Sequence, residues 1–523
     1  MVGRCLPQWM KRGVGMSRVG KSRARTACGA MMAAAAIGAL AVASPLVAQG
    51  EPVPQVAVTG GTIAGEMAEG GGALVFRGIP FAAPPIGERR WKAPQPVQPW
   101  TGVKETTEPT PACIQNDQGW NRADYLFADE DCLTLDVRTP ALSGKRPVMV
   151  WIHGGSNKAG SAHGMVESRI TDQGVVLVAI QYRLAIFGFL APRGAAAEAG
   201  GHAGNYGLMD QIAALQWVHE NIAKFGGDPD DVTIFGESAG SQDVSLMLAA
   251  PQARGLFGRA IMQSGTPGFG MPFRSQEEAF AIADQTDKLL DTGGSIEKLR
   301  RTSVNALLDA DLKLEDKSIQ GNGLMWLKTT VDGVVLPDSP KALLAKAPKK
   351  PVIIGSNRAE FGPPAGTYPI EAMVGQIYGP NAAKALAFYD FDGADHDPRL
   401  GHPQLEVATD YVFRCPANNL ATMLAGEGWP VWRYEFDLSQ DGGLTAHAKD
   451  VAYVMDSIAF GGGVSLQDYW TNFARTGDPN GKGVPQWPRW QGRQKAYVLF
   501  DDTGVTKKSD LRGDLCELLP PEL

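Results

Sequence analysis

Gly236-Glu237-Ser238-Ala239-Gly240 is the stretch of this chain best equipped to do chemistry. A serine hydroxyl is a weak nucleophile until a base takes its proton. The G-x-S-x-G spacing exposes such a serine, because small flanking residues let the chain turn sharply and thrust the hydroxyl out at the C-terminal end of a sheet. That requires a buried strand before the motif and a helix after it. Val232-Thr-Ile-Phe235 is an apolar run of strand length, and Ser241–Ala250 reads as helix.

The base must be a histidine, and the chain has seven. In the order nucleophile, acid, histidine, the candidates are His396, His402 and His447. His396 and His402 stand in an irregular polar stretch and read as solvated loop residues. His447 follows the apolar run Val431–Phe436, which would deliver it to the carboxyl edge of a sheet, so it is the expected base. An acid should follow the preceding strand, where Glu360 stands just beyond Pro351–Gly355. A buried carboxylate there would hold the imidazole tautomer and stabilise the imidazolium; from spacing alone Glu360 reads equally well as an exposed loop residue. The tetrahedral oxyanion needs backbone N–H donors. His153-Gly154-Gly155-Ser156 follows the apolar run Pro147–Ile152, so Gly155, Ser156 and Ala239 are the expected donors and His153 a structural residue. With neutral His447 as base, kcat/KM should rise with pH at roughly 6 to 7.

The positioning elements are apolar runs of the fully buried kind: Pro147–Ile152, Val175–Ile180, Val232–Phe235, Ala260–Met262, Pro351–Ile354, Val431–Phe436 and Tyr497–Phe500. Separated by helical segments, they predict a central, mostly parallel sheet in an α/β fold. Between Leu208 and Phe225, apolar residues recur at spacings of three and four, which predicts a helix with one core face. Val56–Arg77 reads as a hairpin broken by glycines, Pro272–Ala347 as helical but poorly patterned, and 363–418 as irregular. Such excursions over a sheet become lids or pocket walls.

Residues 1–50 carry seven basic and no acidic side chains, then the small apolar run Ala27–Ala43. This is the pattern of a secretory signal peptide over residues 1–48, with cleavage near Ala48 or Gln49 and one domain over 49–523. The expected product is periplasmic or extracellular, without a stable membrane anchor. Removing seven of the 49 basic residues leaves the mature chain near −14 against its 56 acidic ones, so a nucleic-acid partner is set aside. Cys113, Cys132, Cys415 and Cys516 remain; in an exported protein an even count suggests two disulfides, with three pairings open. No stretch has zinc-ligand spacing, and neither a metal nor a cofactor is expected.

Taken together, Phe76-Arg-Gly-Ile-Pro-Phe-Ala-Ala-Pro-Pro-Ile-Gly87, Glu130-Asp-Cys-Leu-Thr-Leu-Asp-Val137, Trp151-Ile-His-Gly-Gly155, Tyr182–Leu190, Gly204–Gln211 and Phe473–Asn480 resemble the type-B carboxylesterases, α/β-hydrolases that include the cholinesterases and the bacterial para-nitrobenzyl esterases. The resemblance implies an α/β-hydrolase fold, a Ser238–Glu360–His447 triad and hydrolysis of a small-molecule carboxylic ester through an acyl-enzyme. It also implies a Cys113–Cys132 disulfide, which leaves Cys415 with Cys516. Arg90 with Glu130 and Arg183 with Asp210 resemble the family's structural ion pairs, and Ser264 matches a serine packed behind the triad. Three positions depart from the family pattern: Ser156 replaces a frequent glycine or alanine, Arg358-Ala-Glu-Phe-Gly362 replaces Arg-Asp-Glu-Gly, and Ala448 replaces a glycine after the histidine. The alternatives are amide or thioester cleavage, or a non-catalytic binding module on the same fold.

Overall fold

All seven apolar runs singled out in the sequence are strands, and they lie side by side as one parallel block. The computed structural model describes residues 53–315, 329–393, 396–439, 442–460, 463–492 and 494–519; the leader read from residues 1–48 lies outside them.

The main sheet has eleven strands. In chain order they are β1 (Glu66–Met67), β2 (Leu74–Pro80), β3 (Thr134–Thr139), β4 (Arg146–Ile152), β5 (Val176–Ile180), β6 (Gly227–Glu237), β7 (Arg259–Gln263), β8 (Val352–Asn357), β9 (Val431–Asp437), β10 (Ala496–Asp501) and β11 (Gly504–Ser509). Across the sheet they run β11-β10-β9-β8-β7-β6-β4-β5-β3-β2-β1. The parallel block spans β5 to β10, and antiparallel strands finish both sides.

The runs are apolar on both faces because helices cover both. In β4, Val148, Val150 and Ile152 point into one core with Leu208, Ile212, Leu215 and Val218 of helix α1 (Tyr206–Asn221) and with Val244 and Leu248 of α2 (Ala239–Ala249). The alternate residues Met149 and Trp151 enter the opposite core with Tyr469, Trp470 and Phe473 of a helix at Leu466–Thr476. Each such side chain contributes about 1.5–3 kcal/mol by leaving water, and the period of two keeps the strand in register.

Parallel register brings the strand ends level. Gly236 pairs with Ile152, Glu237 with Gln263, Gln263 with Gly355, and Asn357 with Phe436. The loops that follow β4, β6, β7, β8 and β9 therefore leave from one edge, and they carry Gly155, Ser238, Ser264, Glu360 and His447.

Three expectations change. The predicted helix ends at Asn221, and Ile222–Phe225 tightens into a 3-10 turn before Gly226 adopts a left-handed φ of 72°. The stretch 363–418 is largely helical (Ile370–Tyr378, Ala382–Tyr389, Pro403–Thr409, and Asp410–Arg414 leading into Cys415–Gly426), its periodicity hidden by breaks at Pro380 and Pro398 and by a π-helical turn. The hairpin Gln55–Val58 with Gly61–Ala64 belongs to a separate three-stranded sheet, and the chain joins the main sheet only at β1. Both disulfides, Cys113–Cys132 and Cys415–Cys516, are formed. No helix among the described residues is long and apolar enough to cross a membrane.

Candidate active site

Ser238 ends β6 and caps α2 with φ 58° and ψ −125°, a conformation that side chains ordinarily avoid. The motif's glycines make this turn fit. A Cβ on Gly240 would stand 2.1 Å from the carbonyl oxygen of Ile152, and one on Gly236 2.6 Å from that same oxygen. The turn is tied to β7 by the Ser238 amide, which donates to Gln263 O at 2.9 Å.

His447 Nδ1 lies 2.6 Å from Glu360 Oε2, and the His447 amide donates to Glu360 O at 3.0 Å. Glu360 is buried. Its Oε1 accepts the amide of Asn357 at 2.6 Å, and its own amide donates to Thr409 Oγ1 at 3.1 Å. Its loop rests on a buried ion network: Arg414 Nη2 donates to Arg358 O at 2.6 Å, and Arg358 and Arg414 share the Glu435 carboxylate at 2.7 and 3.0 Å. With Nδ1–H held by Glu360, Nε2 is left as the acceptor. The His447 side chain is 18 % exposed, while its Nε2 is buried.

Nε2 lies 3.0 Å from Oε1 of Glu237, the residue before the serine, and has no hydrogen bond among the described residues. Burial pushes the Glu237 carboxyl up to about 8 against the pull of His447. Burial also works against the His447 imidazolium, but Glu237 and Glu360 outweigh it and raise His447 to about 9. Both glutamates thus pull the imidazole above the 6 to 7 expected from the sequence, with Glu237 facing Nε2.

On the other side of Ser238, a Cβ on Gly154 would stand 2.5 Å from Glu237 O and 2.9 Å from Ser238 Cβ, so the loop after β4 runs directly against the nucleophile. Gly155, Ser156 and Asn157 have φ of 109°, 59° and 55°, three successive left-handed residues in this loop. Ala239 begins α2, where helix amides lack intrahelical partners. His153 is packed away, stacked on Tyr182 at 4.4 Å and held near a pKa of about 4 by burial. Ser264 is buried behind the turn with φ 53° and bonds through its amide to Gly355 O at 3.0 Å. His396 bonds Glu406 at 2.7 Å, and His402 caps the helix at Pro403–Thr409. The pairs Arg90–Glu130 and Arg183–Asp210 are both made, with contacts of 2.6 and 2.7 Å.

Residues 52–519 match the sequence model of the carboxylesterase family. This chain belongs to that family. It is 35% identical to mouse carboxylesterase 1E, covering 82% of this chain and 86% of the relative, and 34% identical to pig liver carboxylesterase, covering 84% and 87%. A carboxylesterase of Geobacillus stearothermophilus superposes with a TM-score of 0.77 at 33% identity over 89% of this chain and all (100%) of its own, and a PNB esterase with 0.76 at 30% over 89% and 99%. The fold is the α/β-hydrolase fold, and the protein is a serine hydrolase of carboxylic esters.

Sequence reasoning missed part of this esterase's site. Phe361 and Phe413 pack against the His447 ring at 4.7 and 5.0 Å, and Phe269 packs edge-on to Phe413 at 5.6 Å. Asp450 accepts from Tyr434 OH at 2.6 Å and from Gln263 Nε2 at 3.0 Å, in the buried layer behind Glu237. Only Glu237 and Phe361 carried a signal, the first inside the serine motif and the second as a departure beside Glu360. Among the described residues, no group of three or more His, Cys, Asp or Glu side chains is arranged to hold a metal ion.

Proposed function

We propose that this carboxylesterase is exported and hydrolyses its ester through an acyl-enzyme on Ser238, with His447 as base, Glu360 as its orienting acid, and the amides of Gly155, Ser156 and Ala239 as the oxyanion hole. The observation that carries the reading is the His447–Glu360 hydrogen bond of 2.6 Å, with His447 Nε2 3.0 Å from the residue that precedes a serine held at φ 58°. Ser238 Oγ attacks the ester carbonyl carbon while His447 Nε2 takes the hydroxyl proton. The carbonyl oxygen becomes the oxyanion, and Glu360 stabilises the imidazolium. Collapse breaks the bond to the alcohol oxygen, which receives the proton from His447. Water then repeats the sequence on the acyl-enzyme, releasing the acid and restoring Ser238.

Phe361 and Phe413 pack on the His447 ring, Phe269 packs on Phe413, and Glu237 is the acid that faces Nε2. This supports an ester whose groups near the base are uncharged and apolar. Export rests on the leader pattern of residues 1–48, and two disulfides suit an oxidising compartment. One esterase domain over 49–523 is the organisation that goes with it. The test is pre-steady-state hydrolysis of an activated aryl acetate. The expected result is a burst of one phenol per chain, with an acetyl group on the Ser238 peptide by mass spectrometry; turnover without any acyl adduct would overturn the acyl-enzyme.

A further inference from the structure

The assigned oxyanion donors come from two separate elements, Gly155 and Ser156 from the loop after β4 and Ala239 from the first turn of α2. We propose that Asn157 and Asp243 form a buried strut that sets the spacing of these two halves, acting as positioning residues for ester hydrolysis. The inference rests on the oxyanion hole assigned above.

Asn157 directly follows Ser156, and Asp243 stands four residues after Ala239, one turn along the same face of α2. Asn157 Nδ2 donates to Asp243 Oδ1 at 3.1 Å, so each end of the bond lies immediately behind one half of the hole. Other bonds fix both ends. Gln211 Nε2, from α1, donates to Asp243 Oδ2 at 2.5 Å. The Tyr182 hydroxyl donates to His153 O at 2.7 Å and is shared with Asn157 Oδ1 at 3.1 Å, while the Ala185 amide donates to Asn157 O at 2.7 Å. Asn157, Asp243, Gln211 and Tyr182 are all buried.

Two features go beyond what holding the fold together requires. Ser156 and Asn157 are consecutive residues with left-handed φ and neither is glycine. Such a pair persists only where its surroundings over-determine it, and the bonds to Asn157 do that. Asp243 is a carboxyl whose partners here are neutral amides; burial pushes it up to about 7 against the pull of Gln211 and Asn157. A leucine would fill the volume without that penalty, whereas a hydrogen-bonded polar network selects one arrangement. Without the strut, residues 156–157 relax and the Ser156 amide turns from the carbonyl oxygen. A misplacement of about 1 Å costs on the order of 10² in rate.

The test reverses the bond. Asn157→Asp sets two carboxylates face to face, Asp243→Asn two amides, and the double variant restores one donor and one acceptor while Tyr182 still donates to residue 157. Each single variant should lose about 10- to 100-fold in kcat with KM changed less than about threefold, and the double should recover at least half of that loss on a logarithmic scale. Affinity for an aliphatic trifluoromethyl ketone, which forms a hemiketal oxyanion on Ser238, should follow kcat across the four proteins. Where a single variant does not fold, Asn157→Ala carries the same expectation. Folded single variants with wild-type kcat and ketone affinity would overturn the strut, as would a loss of kcat without loss of ketone affinity. Wild type that binds the ketone no better than Ser238→Ala would instead contradict the site assignment on which the strut rests.

Discussion

The imidazole of His447 is held between two glutamates, with Nδ1 2.6 Å from Glu360 and Nε2 3.0 Å from Glu237. In the proposed mechanism Glu360 orients the ring as a base, whereas Glu237 faces Nε2, the atom that would receive the serine proton. The ring and Glu237 titrate as a pair, so an apparent pKa belongs to both.

A general base works only when neutral, and a raised His447 pKa extends the protonated, inactive range upward. The acidic limb of kcat/KM should therefore lie above the ordinary imidazole value of about 6.5. Glu237→Gln removes the carboxyl that faces Nε2 and should move the limb down by about one unit or more. A pH profile of both proteins on a neutral ester decides this, and an unmoved limb would count against the pairing.

Ser156 departs from the small residue common at its position, and in the proposed oxyanion hole its amide, not its hydroxyl, is the donor. Ser156→Gly and Ser156→Ala should both keep most of kcat, because both keep the N–H. A hundred-fold fall in Ser156→Ala with unchanged circular dichroism would assign the hydroxyl to the hole, since losing a side-chain donor costs about 10² to 10³.

Phe361 stands where the acid motif departs from the family, and its ring meets His447 edge-on at 4.7 Å. Aromatic contacts of this kind are worth about 0.5–1.5 kcal/mol. Phe361→Ala should lower kcat/KM for short acyl esters roughly two- to tenfold and shift preference toward bulkier groups that fill the vacated space. An acyl-length series measures this, and an unchanged preference would remove Phe361 from the pocket wall.

Gly240 has no room for a methyl group, since its Cβ would meet the backbone oxygen of Ile152 at 2.1 Å. Gly240→Ala should cost about 1–3 kcal/mol or more of stability through backbone displacement and should cut activity by disturbing the turn at Ser238. Denaturant unfolding with parallel kinetics checks both effects, and a variant with wild-type stability would contradict the close approach.

The parallel block was legible because a strand covered on both faces is largely apolar, as Val148–Ile152 and Val176–Ile180 are throughout. The antiparallel strand Thr134–Thr139 was missed because Thr134, Asp136 and Arg138 interrupt its run; they are nonetheless buried, with Asp136 accepting the Gly78 amide and Arg138 bonding Thr171 and Val166. The places of Ser238 and His447, after β6 and after β9, could be read because each follows a recognisable strand in chain order. Phe269 and Phe413 could not, because what brings them to His447 is the tertiary packing of helical excursions whose periodicity is broken by prolines and a π turn. Asp243 and Asn157 were hidden for a related reason: a four-residue offset along α2 has meaning only once the loop after β4 is known to lie against it.

The central claim is that Ser238, activated by His447, is the nucleophile. Labelling with a fluorophosphonate, followed by peptide mapping, tests it most directly, because only an activated serine attacks phosphorus rapidly. One label per chain on Ser238, absent in Ser238→Ala and slowed by several orders of magnitude in His447→Gln but not in His402→Gln, is the expected result. Undiminished labelling of Ser238→Ala would contradict it.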